Sequence, residues 1–201
     1  VIVEINSETD FVSRNNDFHM LVKKITQIVL DAKNDPDSVK EKVSSIINDA
    51  IGVIGENIVF RRSNYIEGQS YSYIHNSLGD NLGKIGVLLN INSESEVDLS
   101  SIGKNVCMHI AATSPKSLDE SSLSEEIIET EKNIIVEQLK ESGKPDEIAE
   151  KMLQGKMKKF FEEVVLLNQK FVIDPSMTIS KLLDETSKTS SSKTSISSFI
   201  R

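Results

Sequence analysis

The apolar residues Phe18, Leu21, Ile25, Ile28, Val29 and Ala32 recur at helical spacing. That spacing puts them on one face of an α-helix, which must bury the face against another element. The stripe does not extend smoothly towards the N-terminus. Asn15-Asn16-Asp17 stands directly before it, and such side chains compete for backbone hydrogen bonds, favouring caps and turns. The long helix is therefore expected to start near Asp17, leaving Thr9 to Arg14 as a separate short turn. Spacing alone would place Phe11, seven residues before Phe18, on the buried face, with Asp10 as an N-cap. The break instead lets the turn point its own way.

Around this helix the sequence predicts a compact α+β unit over residues 1–92. Val1 to Ile5 reads as a buried strand. Asp35-Pro36 opens a second helix, with Asp as N-cap and Pro at the first position. Val39, Val43, Ile46, Ile47, Ala50 and Ile54 form its buried face, and Gly55 is placed for a left-handed cap. Ile58 to Ile66, Ser70 to His75 and Ile85 to Ile91 read as strands. Short connections favour an antiparallel meander of the three. Asn76 to Lys84 reads as a loop.

Val97 to Thr113 is expected to be helical, ended by Ser114-Pro115. After a polar stretch come two helical segments, Leu123 to Ser142 and Pro145 to about Val164, joined by Gly143-Lys144. Each is about 30 Å long at 1.5 Å per residue. The short joint makes them antiparallel neighbours. The stripe Ile148, Met152, Met157, Phe160 and Val164, facing Ile127, Ile135 and Leu139, is wide enough for one neighbour. This favours a projecting coiled-coil hairpin over one packed into a common core. Phe171 to Ile173 reads as extended and Thr178 to Leu183 as a short helix. The Ser/Thr/Lys-rich stretch Thr186 to Ser198 reads as a mobile loop, and Ile196 to Arg201 as a strand. The chain opens and closes inside strand-like runs, so a piece of a longer protein is expected.

The net charge of −8 disfavours contact with phosphate backbones, so no direct nucleic-acid binding is expected. The single cysteine, Cys107, permits no internal disulfide and fits a reducing, intracellular compartment. Its apolar helical setting suits a small buried side chain better than a nucleophile. No run approaches the ~18 apolar residues of a membrane span, and no stretch reads as a signal peptide. His19, His75 and His109 lack metal-ligand spacing, and no phosphate loop or nucleophile elbow is present. Gly79-Asp80-Asn81-Leu82-Gly83-Lys84 lacks the spacing and following helix of a phosphate loop, and reads as a hairpin loop. Paired acids such as Glu125-Glu126 and Glu162-Glu163 suit a solvated helix face. No catalysis, metal or cofactor is expected.

Five segments in order nonetheless form a specific pattern: Glu4-Ile5-Asn6-Ser7-Glu8-Thr9-Asp10-Phe11-Val12-Ser13-Arg14-Asn15; Ile54-Gly55-Glu56-Asn57-Ile58 with Arg61-Arg62; Tyr73-Ile74-His75 leading to Lys84-Ile85-Gly86-Val87-Leu88; Met108-His109-Ile110-Ala111-Ala112; and Ser142-Gly143-Lys144-Pro145-Asp146-Glu147-Ile148-Ala149-Glu150-Lys151-Met152, continuing to Phe160. Together they closely resemble translation elongation factor Ts. The resemblance implies an α+β fold: two related subdomains of helices on small antiparallel sheets, with a protruding two-helix coiled coil. The division would be residues 1–92, then 93–122 with 165–201, and the hairpin 123–164. The family usually carries a three-helix domain before this core.

The resemblance also implies a function, guanine nucleotide exchange on elongation factor Tu in the cytoplasm. The factor would bind the GDP-bound and nucleotide-free forms, with no direct nucleic-acid or membrane contact. It leaves both a monomer and a homodimer open. Carried over, Thr9, Asp10, Phe11 and Val12 would insert beside the partner's Mg²⁺ site and displace the ion. Ile54, Gly55 and His75 would make a second contact with the same GTPase domain. Each has a plainer reading: Gly55 as a helix cap, Ile54 as core, His75 as a surface residue at a strand end. His109 suits a structural role. The competing function is a non-catalytic interaction module docking a partner through its hairpin.

Overall fold

The computed structural model describes residues 1–94, 97–141 and 145–201. The fold is α+β, in two compact units, Val1–Asn90 with Ile200 and Ile91–Phe199 with Arg201. The first unit holds β1 (Ile2–Asn6), α1 (Asp10–Ser13), α2 (Asn16–Asp31), α3 (Pro36–Ile54), β2 (Val59–Asn64), β3 (Ser70–Gly79) and most of β4 (Leu82–Ser93). The second holds α4 (Ser100–Thr113), α5 (Glu125–Glu141), α6 (Asp146–Val164), α7 (Ile179–Ser190) and most of β5 (Thr194–Ile200).

The two helical stripes form the first core. Phe18, Leu21, Ile25 and Val29 of α2 lie with Val39, Val43 and Ile47 of α3, joined by Val12 and Ile58. Val3, Ile5 and Phe60 pack on this cluster from the strands. Burying each such aliphatic side chain stabilises the unit by about 1.5–3 kcal/mol. The helix ends follow their sequence signals. Asp35 caps α3, its carboxylate accepting from Ser38 N–H at 3.0 Å, and Pro36 follows. Gly55 ends α3 at φ 79°. A Cβ there would meet open space, so backbone conformation rather than crowding calls for glycine.

The strands differ from the expected meander. β2 pairs with β1, antiparallel, in the register Ile2↔Asn64 to Asn6↔Val59, with an irregularity between Glu4 and Ile5. β3 pairs with β4 instead. The physical reason is that β1 and β2 both rest on the first core, through Val3, Ile5 and Phe60. Glu4 faces Arg62, whose guanidinium Nε donates to the carboxylate at 2.6 Å. That hydrogen bond, ahead of its Coulombic attraction, holds the Glu4 carboxyl below the usual range. The expected loop at Asn76 to Lys84 is largely strand. Gly79 already pairs with Leu82, and Asp80-Asn81 makes the turn with Asn81 at φ 57°.

The second sheet runs in the order β3-β4-β5. Within the second unit, Glu94 N–H donates to Lys193 C=O at 3.3 Å. α4 starts at Ser100 rather than Val97, where Asp98 accepts from Ser100 N–H at 2.9 Å. α5 packs against α6, and Lys156 Nζ donates to Gln138 across them at 2.8 Å. The expected Gly143-Lys144 joint lies outside the described residues. Phe171 to Ile173 is not a strand; Lys170 and Thr178 form an isolated antiparallel bridge around it.

The Ser/Thr-rich tail is not a mobile loop. α7 continues to Ser190, and β5 begins at Thr194. Hydroxyls donate back along the helix: Thr186 to Leu182 C=O, Ser187 to Leu183 C=O, Thr189 to Glu185 C=O and Ser190 to Thr186 C=O, at 2.7–2.9 Å. The polar groups that suggest a loop by composition are thus satisfied inside the helix.

His109 is fully buried on α4. Its Nδ1 accepts from Val172 N–H at 3.3 Å, so the ring proton sits on Nε2 and donates to Gln169 Oε1 at 2.9 Å. Gln169 Nε2 in turn donates to Glu163 C=O at 2.7 Å. The ring is a satisfied structural group. Cys107 beside it has its thiol pushed up to about 12 by burial, and stays protonated.

Ile25→Ala is expected to cost about 2–5 kcal/mol, read as a lowered denaturation midpoint at unchanged m-value. Burial lowers the His109 pKa against a smaller opposing effect of its bond to Gln169. The unfolded chain therefore takes up a proton, as pH falls through about 6.5, before the native state does. The resulting stability is present above that pH and declines as pH falls towards the folded pKa. His109→Gln should flatten this part of the denaturation-midpoint profile.

Candidate partner-binding site

The turn at the head of α2 separates its two apolar residues. Val12 is buried in the first core, whereas Phe11 is 83% exposed. The separation follows from local capping. Thr9 is the N-cap of α1, its hydroxyl oxygen accepting from Val12 N–H at 3.4 Å. Asn15 is extended, at φ −76° and ψ 138°, and its side chain caps α2 through Asp17 N–H at 2.7 Å. One helix therefore stops before the next begins. His19 Nε2 donates to Ser13 C=O at 2.9 Å and so fastens the far end of α1 to α2.

Asp10 lies exposed at the start of the turn, 3.5 Å from Arg14. An ion pair between such exposed groups contributes about 0–1 kcal/mol at most. The carboxylate is thus available to an outside partner at little cost to the fold.

Ile54 and Gly55 lie at the end of α3. Ile54 is half-buried and packs on the first core, and Gly55 is exposed. The structure brings this segment to the Thr9 turn through the next residue. Glu56 accepts from Thr9 N–H at 3.1 Å through Oε2 and from the Thr9 hydroxyl at 2.6 Å through Oε1. Val53, one residue before Ile54, is 81% exposed.

His75 is placed differently. It is exposed on β3, opposite Ile85. Its Nδ1 lies 3.1 Å from the Tyr73 hydroxyl, and the two rings have centroids 6.0 Å apart. Across the strand pair a Cβ on Gly83 would collide with the Ile74 side chain and come 2.8 Å from His75 C=O. Glycine there allows β4 its close approach. Among the described residues, the hydrogen bond of the His75 ring goes to Tyr73, and none ties it to the Thr9 corner.

Glu56 and Val53 carry no role in the sequence reading, yet both leave a trace there. Val53 is an apolar residue just off the stripe of α3. Glu56 is an acid immediately after a helix-ending glycine. Its partner, Thr9, is 47 residues away, a pairing that no local pattern reveals.

Among the described residues there is no group of three or more His, Cys, Asp or Glu able to hold a metal ion. No helix there is long and apolar enough to cross a membrane. The corner offers an exposed ring, exposed backbone at a left-handed cap, an available carboxylate at Asp10 and a fixed one at Glu56. That arrangement suits contact with another macromolecule.

Comparison with known proteins gives the same direction. The family model described as Elongation factor TS matches residues 8–201. The chain is 47% identical over 192 residues to elongation factor Ts of Paracoccus denitrificans, covering 92% of this chain and 64% of that protein. It is 44% identical over 211 aligned positions to elongation factor Ts of Brucella anthropi, and 42% over 213 to that of Agrobacterium fabrum. Both alignments cover all of this chain and 69% of the relative. The chain thus spans about two thirds of the length of the relatives it matches. A match that runs through the turn, the α3 cap and both units at these identities leaves one assignment: the chain belongs to the elongation factor Ts family.

Proposed function

We propose that the chain is a guanine nucleotide exchange factor for elongation factor Tu, acting in translation elongation in the cytoplasm. The observation that carries this reading is the Phe11 ring, 83% exposed on a turn whose neighbour Val12 is anchored in the core. An exposed aromatic gains about 1.5–3 kcal/mol when another protein buries it. If the ring enters between helices of the GTPase domain, those helices must shift. They carry the groups that hold Mg²⁺ and phosphate, and Mg²⁺ requires near-ideal octahedral coordination. A small displacement therefore weakens nucleotide binding strongly.

Each residue has a part in this reading. Phe11 wedges. Val12 anchors the turn, Thr9 caps it, and Asp10 makes polar contact with the partner. Ile54, Gly55 and His75 make the second contact with the same domain. No covalent bond is made or broken, so the factor works by binding. It holds the nucleotide-free partner more tightly than the GDP-bound one. By linkage, GDP weakens its hold on the partner by the same factor.

A second reading draws on the hairpin helices, where Ile127, Ile134 and Ile148 are 39–49% exposed. In it the chain docks a partner through α5 and α6 without altering nucleotide affinity. Labelled GDP preloaded on elongation factor Tu separates the two. Exchange activity predicts faster release on adding the chain. Binding with an unchanged release rate selects the docking module.

Phe11→Ala is expected to lower the stimulated release rate by about tenfold, the equivalent of ~1.4 kcal/mol of lost wedge contact. Its thermal unfolding midpoint should stay within about a degree of the parent, because the ring contributes little to the native core. Undiminished release by this variant would remove Phe11 from the mechanism.

A further inference from the structure

We propose that Glu56 is a positioning residue that holds the Phe11 turn in its presented geometry; the functional part of this inference rests on the exchange reading above. The turn is one short helix of four residues. Nucleation is unfavourable at that length, so it needs holding from outside. Three side chains hold it. Val12 enters the core, His19 takes the Ser13 carbonyl, and Glu56 takes both donors of Thr9.

The Glu56 contact has a specific consequence. With the Thr9 hydroxyl proton committed to Oε1 at 2.6 Å, the hydroxyl lone pairs remain for Val12 N–H. Glu56 therefore orients the cap that closes the turn beneath Phe11. It also follows directly on Gly55, so the same carboxylate sets the spacing between Thr9 and Ile54-Gly55. A ring fixed before encounter loses less conformational freedom on binding than one on a loose loop.

Glutamine at position 56 can still accept from Thr9 N–H through its carbonyl oxygen, while its amide donates to the Thr9 hydroxyl oxygen, whose proton turns away; alanine offers neither contact. Glu56→Ala therefore removes the clamp, and Glu56→Gln keeps its geometry without the charge.

The test has an arm without the partner and an arm with it. In the first, amide hydrogen exchange is followed at Thr9 and Val12 in the parent, Glu56→Gln and Glu56→Ala. Both amides should exchange about tenfold faster in Glu56→Ala and less than about threefold faster in Glu56→Gln, with unfolding midpoints close to the parent's. Unchanged exchange at both amides in Glu56→Ala would overturn the clamp, whatever the chain does to GDP. In the second, stimulated GDP release is measured in a double-mutant cycle with Phe11→Ala. Loss of Glu56 should slow release about tenfold in the parent and less than twofold when Phe11 is already alanine. Equal losses in both backgrounds would show that Glu56 acts on the partner directly and would overturn the positioning role. Should the parent fail to stimulate release at all, the exchange reading falls. The amide exchange then still decides the clamp.

Discussion

The break at Asn15 is the constraint on which the proposed site depends. At 100° per residue, a continuous helix would bring Phe11 and Phe18 within about 20° of the same face. Both rings would then compete for one core. Because Asn15 is extended and its side chain caps α2, the phase of the helix is reset. Phe18 stays in the core, Val12 joins it, and Phe11 is released to solvent. A single capping residue thus decides whether the aromatic ring stabilises this protein or remains free to act on another.

Local signals in the sequence were legible where the physics is local. The caps at Asp35 and Gly55, the stripes of α2 and α3, and the interruption before α2 all depend on residues within about four positions of each other. Strand partnership is different. β2 could have paired with β3 by the shortest route, but it lies on β1, with Arg62 against Glu4 across 58 positions. No spacing rule carries that information. Composition misled at α7 for a different reason, since the contacts there are local. Ser and Thr favour loops when their hydroxyls have no better partner, and here the preceding turn of the same helix supplies one.

The candidate site was legible to the same degree. Periodicity favours a core position for Phe11, the Asn15-Asn16-Asp17 break together with the family resemblance favours an exposed one, and the structure exposes the ring. Cys107 and His109 read as structural from their apolar surroundings. The network through Gln169 and Val172 accounts for both nitrogens of the His109 ring. Glu56 was invisible because its significance lies wholly in a tertiary contact. The segment Ile54-Gly55-Glu56 reads locally as the end of a helix and nothing more.

Energetics explain why such a corner can act on a partner without weakening its own fold. The Thr9–Glu56 bonds lie in exposed surroundings, where individual polar contacts add about 1 kcal/mol or less to global stability. The first core rests instead on Ile25, Val29, Val39 and Val43, all nearly inaccessible to solvent. Stability and presentation are therefore carried by different residues. Val12 is the exception, since it belongs to the core and to the turn at once. The proposed exchange role requires this separation. A wedge that was itself part of the core would have to leave it in order to bind. The cost of exposing that core would then oppose capture of the nucleotide-free partner. With Phe11 already exposed, nearly all the free energy of burying its ring would, in the proposed mechanism, be available to favour the shifted state of the partner.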